Sequence, residues 1–348
     1  MTLPSLLAVQ RSLSSKAREI DQLGSWHSSK DEPAPISEDS SIQRGTVIPE
    51  IHLSSIGVCT HRGRRSYQED RYTILELPGN LLLLAVFDGH GGAECSEYCH
   101  IKIQSKLLRE IDKAEEEGAG TRLDLGTMLR KVVADLNTSF EKHWSIKTRH
   151  GGTKKSKSTP GTTATIALIR DGYELVVAQV GDSRAILCRN SAARCLTKDH
   201  CPSDPGERER IESQGGTVTY DTIGRYMVNQ RLAMSRSIGD LDLKSFGVTC
   251  EPDVIRKNIK HVKDEFLVLT SDGINFVMTD EEVVECIRAW SDPNEASQKL
   301  IDQALLYASE DNVTVIILPL GAWGKGDSAN TSVLYSLGRN MALSSRFS

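Results

Sequence analysis

The 348-residue sequence has no apolar run that approaches the roughly 20 residues needed for a membrane-spanning helix. It has little excess charge, because 42 basic and 47 acidic side chains leave a net charge of −5, which gives no reason to expect binding to nucleic acid or to a membrane surface. Its eight cysteines contain no C-x-x-C pair, so neither a zinc ribbon nor a disulfide framework is indicated, and a reducing compartment fits best. These absences predict a soluble globular protein.

Three common catalytic signatures are also missing. The chain contains no G-x-x-x-x-G-K-[ST] phosphate loop and no H-E-x-x-H zinc motif. The segment Gly181-Asp182-Ser183-Arg184-Ala185 lacks the second glycine of a nucleophile elbow. The sequence therefore disfavours ATP hydrolysis, zinc proteolysis and serine-esterase chemistry.

The composition divides the chain into three regions. Residues 1–50 are predicted to be a flexible leader, whose first 18 residues contain Arg11, Lys16 and Arg18, no acid, and apolar residues at steps of three and four. That pattern is typical of a mitochondrial transit peptide, and an ordinary solvated tail is the open alternative. Residues 51–320 carry the patterned segments and are predicted to form the folded domain. Residues 321–348 are predicted to be a disordered tail.

Within residues 51–320, short apolar runs alternate with helical patterns. Strands are predicted at Leu81–Phe87, Thr162–Ile169, Glu174–Val180, Arg184–Cys188, Phe266–Leu269 and Val313–Leu318. Apolar residues at helical spacing predict helices over 95–111 and 129–144, and start signals at Thr279 and Asp292 predict two more. Two loops are predicted: the basic segment 146–160, and the turn-rich segment 199–230 around a short helix over 207–211.

Acidic side chains stand where the predicted strands end or are connected, namely Glu69, Asp70, Asp88, Asp182, Asp272 and Asp311. Each alone is compatible with an ordinary turn, because Asp-Gly and Ser-Asp are common turn formers. Several carboxylates at one end of a sheet would repel one another unless protons or cations neutralise them. Oxygen ligands suit Mg²⁺ or Mn²⁺, so the pattern predicts a divalent metal site, where a pair of ions would activate water and clamp a phosphoryl group.

Two arginines and a histidine lie close to these acids in the sequence. Arg64 and Arg65 shortly precede Glu69, and a guanidinium can hold phosphate oxygens through two parallel hydrogen bonds. His90 follows Asp88 by two residues, and the ordinary imidazole pKa of about 6.5 suits a general acid for a leaving alcohol. A lone histidine is more often structural, so His90 is a candidate only because of its neighbours.

The sequence contains seven short motifs, five of which include Arg65, His90 and the six acids. They are RSYQED at 65–70, VFDGHGG at 86–92, GTTA at 161–164, VGDSR at 180–184, SRSIGD at 235–240, SDG at 271–273 and EDN at 310–312. Their content and order resemble the metal-dependent protein phosphatase (type 2C) family across residues 51–320. The resemblance implies an α+β fold, a four-layer α-β-β-α sandwich in which helices flank two antiparallel sheets. It also implies a serine/threonine phosphoprotein phosphatase that uses Mg²⁺ or Mn²⁺, with residues 51–320 as the catalytic domain.

The resemblance further assigns roles by motif position. Asp88 would bridge two metal ions, with the Gly89 carbonyl, Glu69 and Asp70 on one side and Asp272 and Asp311 on the other. Arg65 would bind the substrate phosphate and His90 would be the general acid. Asp182 would serve a third metal, and residues 199–230 would form a flap beside the site. Several relatives carry an acid four residues after the Asp272 counterpart, where this chain has Phe276, so the third metal is in doubt.

The segments 232–244, 272–276 and 321–325 look most like those of the family members that are located in the mitochondrial matrix and dephosphorylate the branched-chain α-ketoacid dehydrogenase complex. That complex is the expected phosphoprotein partner, and the matrix is the expected location, with the cytoplasm as the alternative. Two other functions stay open: an inactive relative that serves as a binding module, and a metal-dependent nuclease. The nuclease is disfavoured because it would need a basic surface that the net charge of −5 does not indicate.

Overall fold

The computed structural model describes residues 48–49, 51–116, 122–150 and 158–325. Almost all of the predicted leader and residues 326–348 of the predicted tail therefore lie outside the described residues. No helix within the described ranges is long and apolar enough to cross a lipid bilayer.

The first half of the described chain contains six strands and two long helices. In chain order they are β1 (Gly57–His61), β2 (Arg71–Leu77), β3 (Leu81–Phe87), β4 (Gly89–His90), α1 (Glu94–Glu116), α2 (Leu125–His150), β5 (Gly161–Thr162) and β6 (Ala164–Arg170). A 3-10 turn, Leu53–Ser55, precedes β1.

The second half contains nine strands and four helices. They are β7 (Glu174–Val180), β8 (Arg184–Arg189), β9 (Ala192–Cys195), α3 (Pro205–Ser213), β10 (Val218–Tyr220), β11 (Tyr226–Val228), β12 (Ile238–Gly239), β13 (Asp253–Asn258), β14 (Asp264–Thr270), α4 (Asp272–Asn275), α5 (Asp280–Arg288), α6 (Pro293–Leu306) and β15 (Val313–Pro319). A second 3-10 turn, Lys244–Phe246, follows β12.

Two five-stranded antiparallel sheets form the centre of the domain. One has the strand order β1-β15-β14-β8-β9 and the other β13-β7-β6-β3-β2. Three apolar clusters separate four layers: one between α1, α2 and the second sheet, one between the two sheets, and one between the first sheet and α5 and α6. The α-β-β-α sandwich is thereby confirmed.

The continuous apolar runs are explained by burial of both faces of each sheet. In β3, Leu83 faces α1 and α2, whereas Leu84 beside it faces the opposite sheet. In β14, Leu267 faces the second sheet and Val268 faces α5 and α6. Because successive side chains of a strand point to opposite faces, a strand buried on both sides is apolar along most of its length.

Both helix starts that were predicted from capping signals are confirmed. Thr279 caps α5, where its hydroxyl accepts a hydrogen bond from the Glu282 amide at 3.2 Å and its own amide donates to the Glu282 carboxylate at 2.9 Å. Asp292 caps α6, and Pro293 occupies its first turn. In each case the side-chain oxygen satisfies an amide that has no partner inside the helix.

The predicted loop over residues 146–160 is wrong at residues 146–150, which complete α2. Lys147 and Arg149 of this segment are exposed on the helix, where the Lys147 ammonium pairs with Glu94 at 3.3 Å and lies 5.3 Å from the Trp144 ring centroid. Residues 151–157 of this segment lie outside the described residues.

Several short or half-polar strands were not predicted, namely β1, β2, β9, β13 and the hairpin β10–β11. These strands carry charged or hydroxyl side chains at exposed positions, which interrupt the apolar run that identifies a buried strand. The hairpin lies in the segment 199–230, which was predicted to be a loop apart from its short helix.

The boundary of the predicted disordered tail also needs correction, because residues 321–325 pack on the domain. The Trp323 ring contacts Phe266 edge to face at a centroid distance of 5.5 Å, and its indole N–H donates to the Ser291 carbonyl at 2.9 Å. The Ala322 amide donates to the Asp264 carbonyl at 3.0 Å. The sequence did not predict this packing because residues 321–348 are mostly polar, and Trp323 supplies the apolar contact.

This packing predicts a difference between two truncated chains. A chain that ends at residue 320 should have a free energy of unfolding lower by about 2 kcal/mol than a chain that ends at residue 325, because it loses the partly buried Trp323 ring and its hydrogen bond. Urea denaturation of both chains measures the difference. Equal unfolding midpoints and slopes would contradict it.

Candidate active site

The predicted acids come from strand ends in both sheets. Asp88 follows β3, Asp182 follows β7 and Asp272 follows β14, while Asp70 precedes β2 and Asp311 precedes β15. The two sheets meet at this end, where the Asp272 amide donates to Asp88 Oδ2 at 3.3 Å. The structure thus brings together side chains that are up to 241 residues apart (311 − 70 = 241).

Asp88 is held by the segment that leads into β6. The Thr163 amide donates to the Asp88 carbonyl at 2.8 Å, and the Asp88 amide donates to the Thr163 hydroxyl at 3.1 Å. The Thr162 hydroxyl adds a bond to the same carbonyl at 2.9 Å. These bonds fix the Asp88 backbone and leave its carboxylate directed to the other acids.

Asp70 is held from the opposite sheet. Its Oδ2 accepts hydrogen bonds from Thr314 at 2.7 Å and from Ser271 at 3.0 Å, whereas its buried Oδ1 has no partner. The Ser271 amide and the Thr314 carbonyl are bonded at 3.0 Å. Asp70 therefore connects the start of β2 to β14 and β15.

The buried acids raise one another's pKa values. Burial raises the pKa of Asp88 well above its usual range, and the charges of Asp272 and Asp70 act in the same direction. Burial also raises the pKa of Asp70 to about 7, although the bonds from Thr314 and Ser271 oppose the change.

Asp182 and Asp272 extend the same group. Burial raises the pKa of Asp182 to about 7, with further contributions from the charges of Asp272 and Asp199. Burial and the charge of Asp311 raise the pKa of Asp272. One oxygen of Asp182 is buried without a hydrogen-bond partner. These carboxylates therefore occupy positions where a proton or a cation is needed to offset burial and repulsion.

Both arginines contact acids at the rim of this group. Arg65 pairs with Asp311 Oδ2 at 2.6 Å, and its side chain keeps 53% of its surface exposed. Arg64 makes a longer contact with Glu310 at 3.5 Å, with both side chains mostly exposed. Arg65 is thus the arginine that reaches the acid cluster, as its motif position predicts, and Arg64 lies at the outer edge.

His90 is oriented by a partner that the sequence did not reveal. Its Nε2 lies 2.6 Å from Asp240 Oδ2, and Asp240 also accepts a bond from the Ser237 hydroxyl at 2.6 Å. A Cβ on Gly161 would lie 2.1 Å from Asp240 Oδ2 and 2.4 Å from His90 Nε2, so only glycine fits at that position. Asp240 raises the pKa of His90 against the opposing effect of burial.

Glu69 and Gly89 lie next to each other at the edge of the site. Glu69 Oε1 accepts a hydrogen bond from the Gly92 amide at 2.6 Å, and its backbone carbonyl accepts one from the Ser96 hydroxyl. A Cβ on Gly89 would lie 2.5 Å from the Glu69 carbonyl oxygen. The glycine therefore permits a close approach of two backbone segments beside Asp88.

The segment 199–230 reaches the site through its hairpin. Arg225, in the turn between β10 and β11, pairs with Asp221 at 2.8 Å. The positive charge of Arg225 acts to lower the pKa of Asp272, against the larger effects of burial and Asp311. Phe276 lies on the other side of Asp272, donating its amide to the Asp272 carbonyl at 2.8 Å with 58% of the residue exposed. The position where relatives carry an acid is therefore an exposed aromatic ring.

The oxygen atoms of this acid group suit a divalent cation. In the described part of the chain, no three His, Cys, Asp or Glu side chains already have their ligand atoms around one point. Asp311 is directed to Arg65, which accounts for part of this arrangement. The unpartnered buried oxygens of Asp70 and Asp182, and the raised pKa values of the buried acids, fit hard cations with oxygen ligands. The residues present therefore fit Mg²⁺ or Mn²⁺.

Sequence reasoning missed the residues that position the acids and the histidine, namely Thr163, Asp240, Ser271 and Thr314. A signal existed for Thr314, which is a fully buried hydroxyl inside an apolar strand. Asp240 ends the motif SRSIGD at 235–240, but it is 150 residues from His90 in the sequence, so their contact depends on the fold.

Comparisons with known proteins agree with this geometry. Residues 55–313, more than half of the chain, match the family described as Protein phosphatase 2C. The chain is 44% identical over 327 residues to mitochondrial protein phosphatase 1K of Xenopus laevis, covering 94% of this chain and 83% of that protein. It is 35% identical over 287 residues to probable protein phosphatase 2C 45 of Oryza sativa subsp. japonica, covering 81% and 93%.

A solved structure shares the fold. The crystal structure of serine-threonine phosphatase 2C from Toxoplasma gondii has a TM-score of 0.64 and 24% identity, over 76% of this chain and 94% of that one. The family match, the two relatives and the shared fold identify the chain as a member of the protein phosphatase 2C family, a serine/threonine phosphatase that acts on phosphoproteins and whose family generally depends on Mg²⁺ or Mn²⁺.

Proposed function

We propose that this phosphatase hydrolyses phosphoserine and phosphothreonine monoesters in one step, by attack of water on phosphorus at a binuclear Mg²⁺ or Mn²⁺ centre. The observation that carries the proposal is a group of four acids whose pKa values are all raised, namely the buried Asp70 and the half-buried Asp88, Asp182 and Asp272. Such a group is unstable as bare carboxylates and is suited to cations.

The proposed ligand set follows the positions of the acids. Asp88 lies between the two sheets and would bridge the pair of ions. The Gly89 carbonyl, Glu69 and Asp70 would hold one side, and Asp272 and Asp311 the other. Asp182 supports a third, weaker site, which Phe276 cannot complete because its side chain offers no oxygen. When bound, the ions supply an activated water and neutralise phosphoryl charge.

The remaining steps belong to Arg65 and His90. Arg65 is half exposed at the rim and would bind two phosphate oxygens, which orients the phosphorus for in-line attack. His90, held by Asp240, would donate a proton to the seryl or threonyl oxygen as the P–O bond breaks. Asp240 favours the protonated imidazole, the form that an acid requires.

The first prediction from the proposed mechanism concerns Asp272. Asp272→Ala should lower kcat for a phosphoserine peptide by about three orders of magnitude or more, because the carboxylate set loses one member at its centre. Steady-state release of phosphate in the presence of Mn²⁺ measures the loss, and circular dichroism checks the fold. Asp112→Ala, which removes an exposed acid from α1, is the matched control and should keep normal kcat. Turnover of Asp272→Ala within tenfold of the unaltered protein would contradict the assignment.

The same assay separates the two other functions. An inactive binding module would release no phosphate at any concentration of Mn²⁺ or Mg²⁺, although it would be folded. A nuclease would cleave single-stranded DNA under the same conditions. Metal-dependent phosphate release without DNA cleavage is the expected result.

The second prediction concerns stability with and without Mg²⁺. Asp70 and Asp182 have folded pKa values of about 7, above the unfolded value of about 3.9. In a chelator, the stability that their protonated forms contribute is complete below about pH 4 and is lost as the pH rises through about 7. Bound Mg²⁺ replaces the protons, so it should raise the melting temperature more at pH 8 than at pH 6. Equal increases at both pH values would contradict this linkage.

For the substrate, we propose the branched-chain α-ketoacid dehydrogenase complex in the mitochondrial matrix. The proposal is supported by the resemblance of the segments 232–244, 272–276 and 321–325, and by the 44% identity to a relative whose name places it in mitochondria. The basic, acid-free stretch at residues 1–18 agrees with this location.

Two experiments test the substrate and the location. The purified phosphatase should release phosphate from the phosphorylated dehydrogenase complex at least tenfold faster, at equal phosphoserine concentration, than from phosphorylated casein. A fluorescent fusion of the full chain should co-localise with a matrix marker, and a fusion that lacks residues 1–50 should not. Equal rates on both substrates would contradict the proposed substrate, and a cytoplasmic signal from the full chain would contradict the location.

A further inference from the structure

One sheet edge in the described structure lacks the protection that the other edges have. The edge strand β9 has only four residues and carries Arg194, and the edge strand β13 carries exposed Arg256 and Lys257. The edge strand β1 is covered by α6, because Gly57 leaves no room for a Cβ against Pro293 and the Cys59 thiol reaches Gln298 at 3.2 Å. Short length, charge and a covering helix are the usual means of preventing edge pairing.

The remaining edge strand, β2, is not short and carries charge only towards its two ends, and the contact of its Thr73 hydroxyl with His100 Nδ1 at 2.9 Å places α1 beside it. It has seven residues, pairs only with β3 among the described strands, and keeps a regular register from Arg71 to Leu77 without a bulge. Its charged residues are Arg71 and Glu76, so the four positions between them are uncharged. Its outer backbone amides and carbonyls are therefore available to another extended chain.

A groove of about 590 Å³ runs along this edge. One wall is β2, with Ile74 and Leu75, and the other is the side of α1, with Ile101 and Gln104. Ile101 is 57% exposed, although it belongs to a helix whose other large aliphatic residues pack inward. A slot between an edge strand and a helix is an arrangement in which domains bind peptides by adding a strand.

The groove is continuous with the acid cluster. Gln68 and Asp70 line its end, and Asp70 is bonded to Ser271 and Thr314 of the proposed metal centre. The only charged side chain of β2 that lines the groove, Arg71, is paired with Glu97. The part of the groove between Tyr72 and Leu75 is therefore uncharged on the β2 side, and the groove ends at Asp70, an acid of the proposed metal centre.

We propose that the outer edge of β2 binds an extended, uncharged segment of the phosphoprotein substrate next to the phosphorylated residue, as an added strand. The proposal rests on the proposed function, because it places the phosphoresidue at the acid cluster. Backbone bonds to β2 would provide affinity, and alternate side chains against Ile74 and Ile101 would select β-branched or apolar residues. The groove thus makes this enzyme prefer substrates whose phosphorylated residue adjoins an extended apolar stretch.

The test uses the full chain and a defined peptide, in which a phosphoserine is flanked on each side by the sequence Thr-Val-Thr-Val-Thr-Val. Two further peptides carry N-methyl groups on alternate amides, one on the odd set and the other on the even set. Because alternate amides of a strand face the partner, methylation of one set should lower kcat/KM about tenfold, and methylation of the other set should change it less than twofold. Equal effects of the two sets would overturn the proposal.

A pair of variants locates the binding site. Ile101→Glu places a charge in the groove and should lower kcat/KM for the peptide about tenfold, with unchanged turnover of p-nitrophenyl phosphate, which has no chain to bind. Ser105→Glu makes the same charge change at an exposed position of α1 that does not line the groove, and it should leave both values unchanged. Equal peptide kinetics for the two variants would overturn the proposal.

A binding measurement keeps this test independent of catalysis. Fluorescence anisotropy of the labelled, unphosphorylated peptide should show binding that Ile101→Glu weakens about tenfold and Ser105→Glu does not. Peptide binding with this pattern, but without phosphate release by any of the proteins, would contradict the proposed function and leave the groove assigned. A monomer–dimer equilibrium that Ile101→Glu abolishes, without any peptide binding, would show that a second copy occupies the edge and would overturn the proposal.

Discussion

The mutual repulsion of buried carboxylates is the constraint on which this structure depends. Asp70, Asp88 and Asp272 come from strand ends that are held in place by backbone and hydroxyl hydrogen bonds, so they cannot move apart without loss of those bonds. Several kilocalories per mole of burial and repulsion would otherwise oppose folding. The fold can keep such a group only because protons or small cations are available to it. The stability of the domain therefore depends on pH and on the concentration of cations at the same place where we propose catalysis.

The fold extends that constraint to distant parts of the chain. Thr163 holds Asp88, and Ser271 holds Asp70 from the opposite sheet. Asp240 orients His90 although the two residues are 150 positions apart in the sequence. Thr163, Ser271 and Asp240 would not bind a metal ion or phosphate directly. Their contribution is to reduce the freedom of the side chains that we propose as ligands and as the general acid, which matters because small errors of position have a large effect on phosphoryl transfer.

The sequence alone predicted those parts of the fold in which one physical signal dominates. Strands buried on both faces, such as β3, appear as unbroken apolar runs, and helices such as α5 begin at a capping box, so both were predicted to within a residue or two. Edge strands such as β2 were missed because their exposed positions are polar. The basic run at residues 146–150 was taken for a loop because charge at the solvent face of a helix resembles charge in a loop. The acids were predicted as a group, whereas the partners of His90 and Asp70 depend on contacts between remote segments.

The origin of the acids in two different sheets has a mechanical consequence. Asp88 and Asp182 move with β3 and β7, whereas Asp272 and Asp311 move with β14 and β15. Apolar side chains such as Leu84 and Leu269 set the spacing between these layers, together with the hydrogen bonds that Asp70 accepts from the opposite sheet. The arrangement of these four acids therefore depends on the distance between the two sheets. If the apolar layer loosens, the two sheets move slightly apart and the acids lose their arrangement while the strands are still intact. We therefore expect heat or a packing defect to inactivate the enzyme before the domain unfolds.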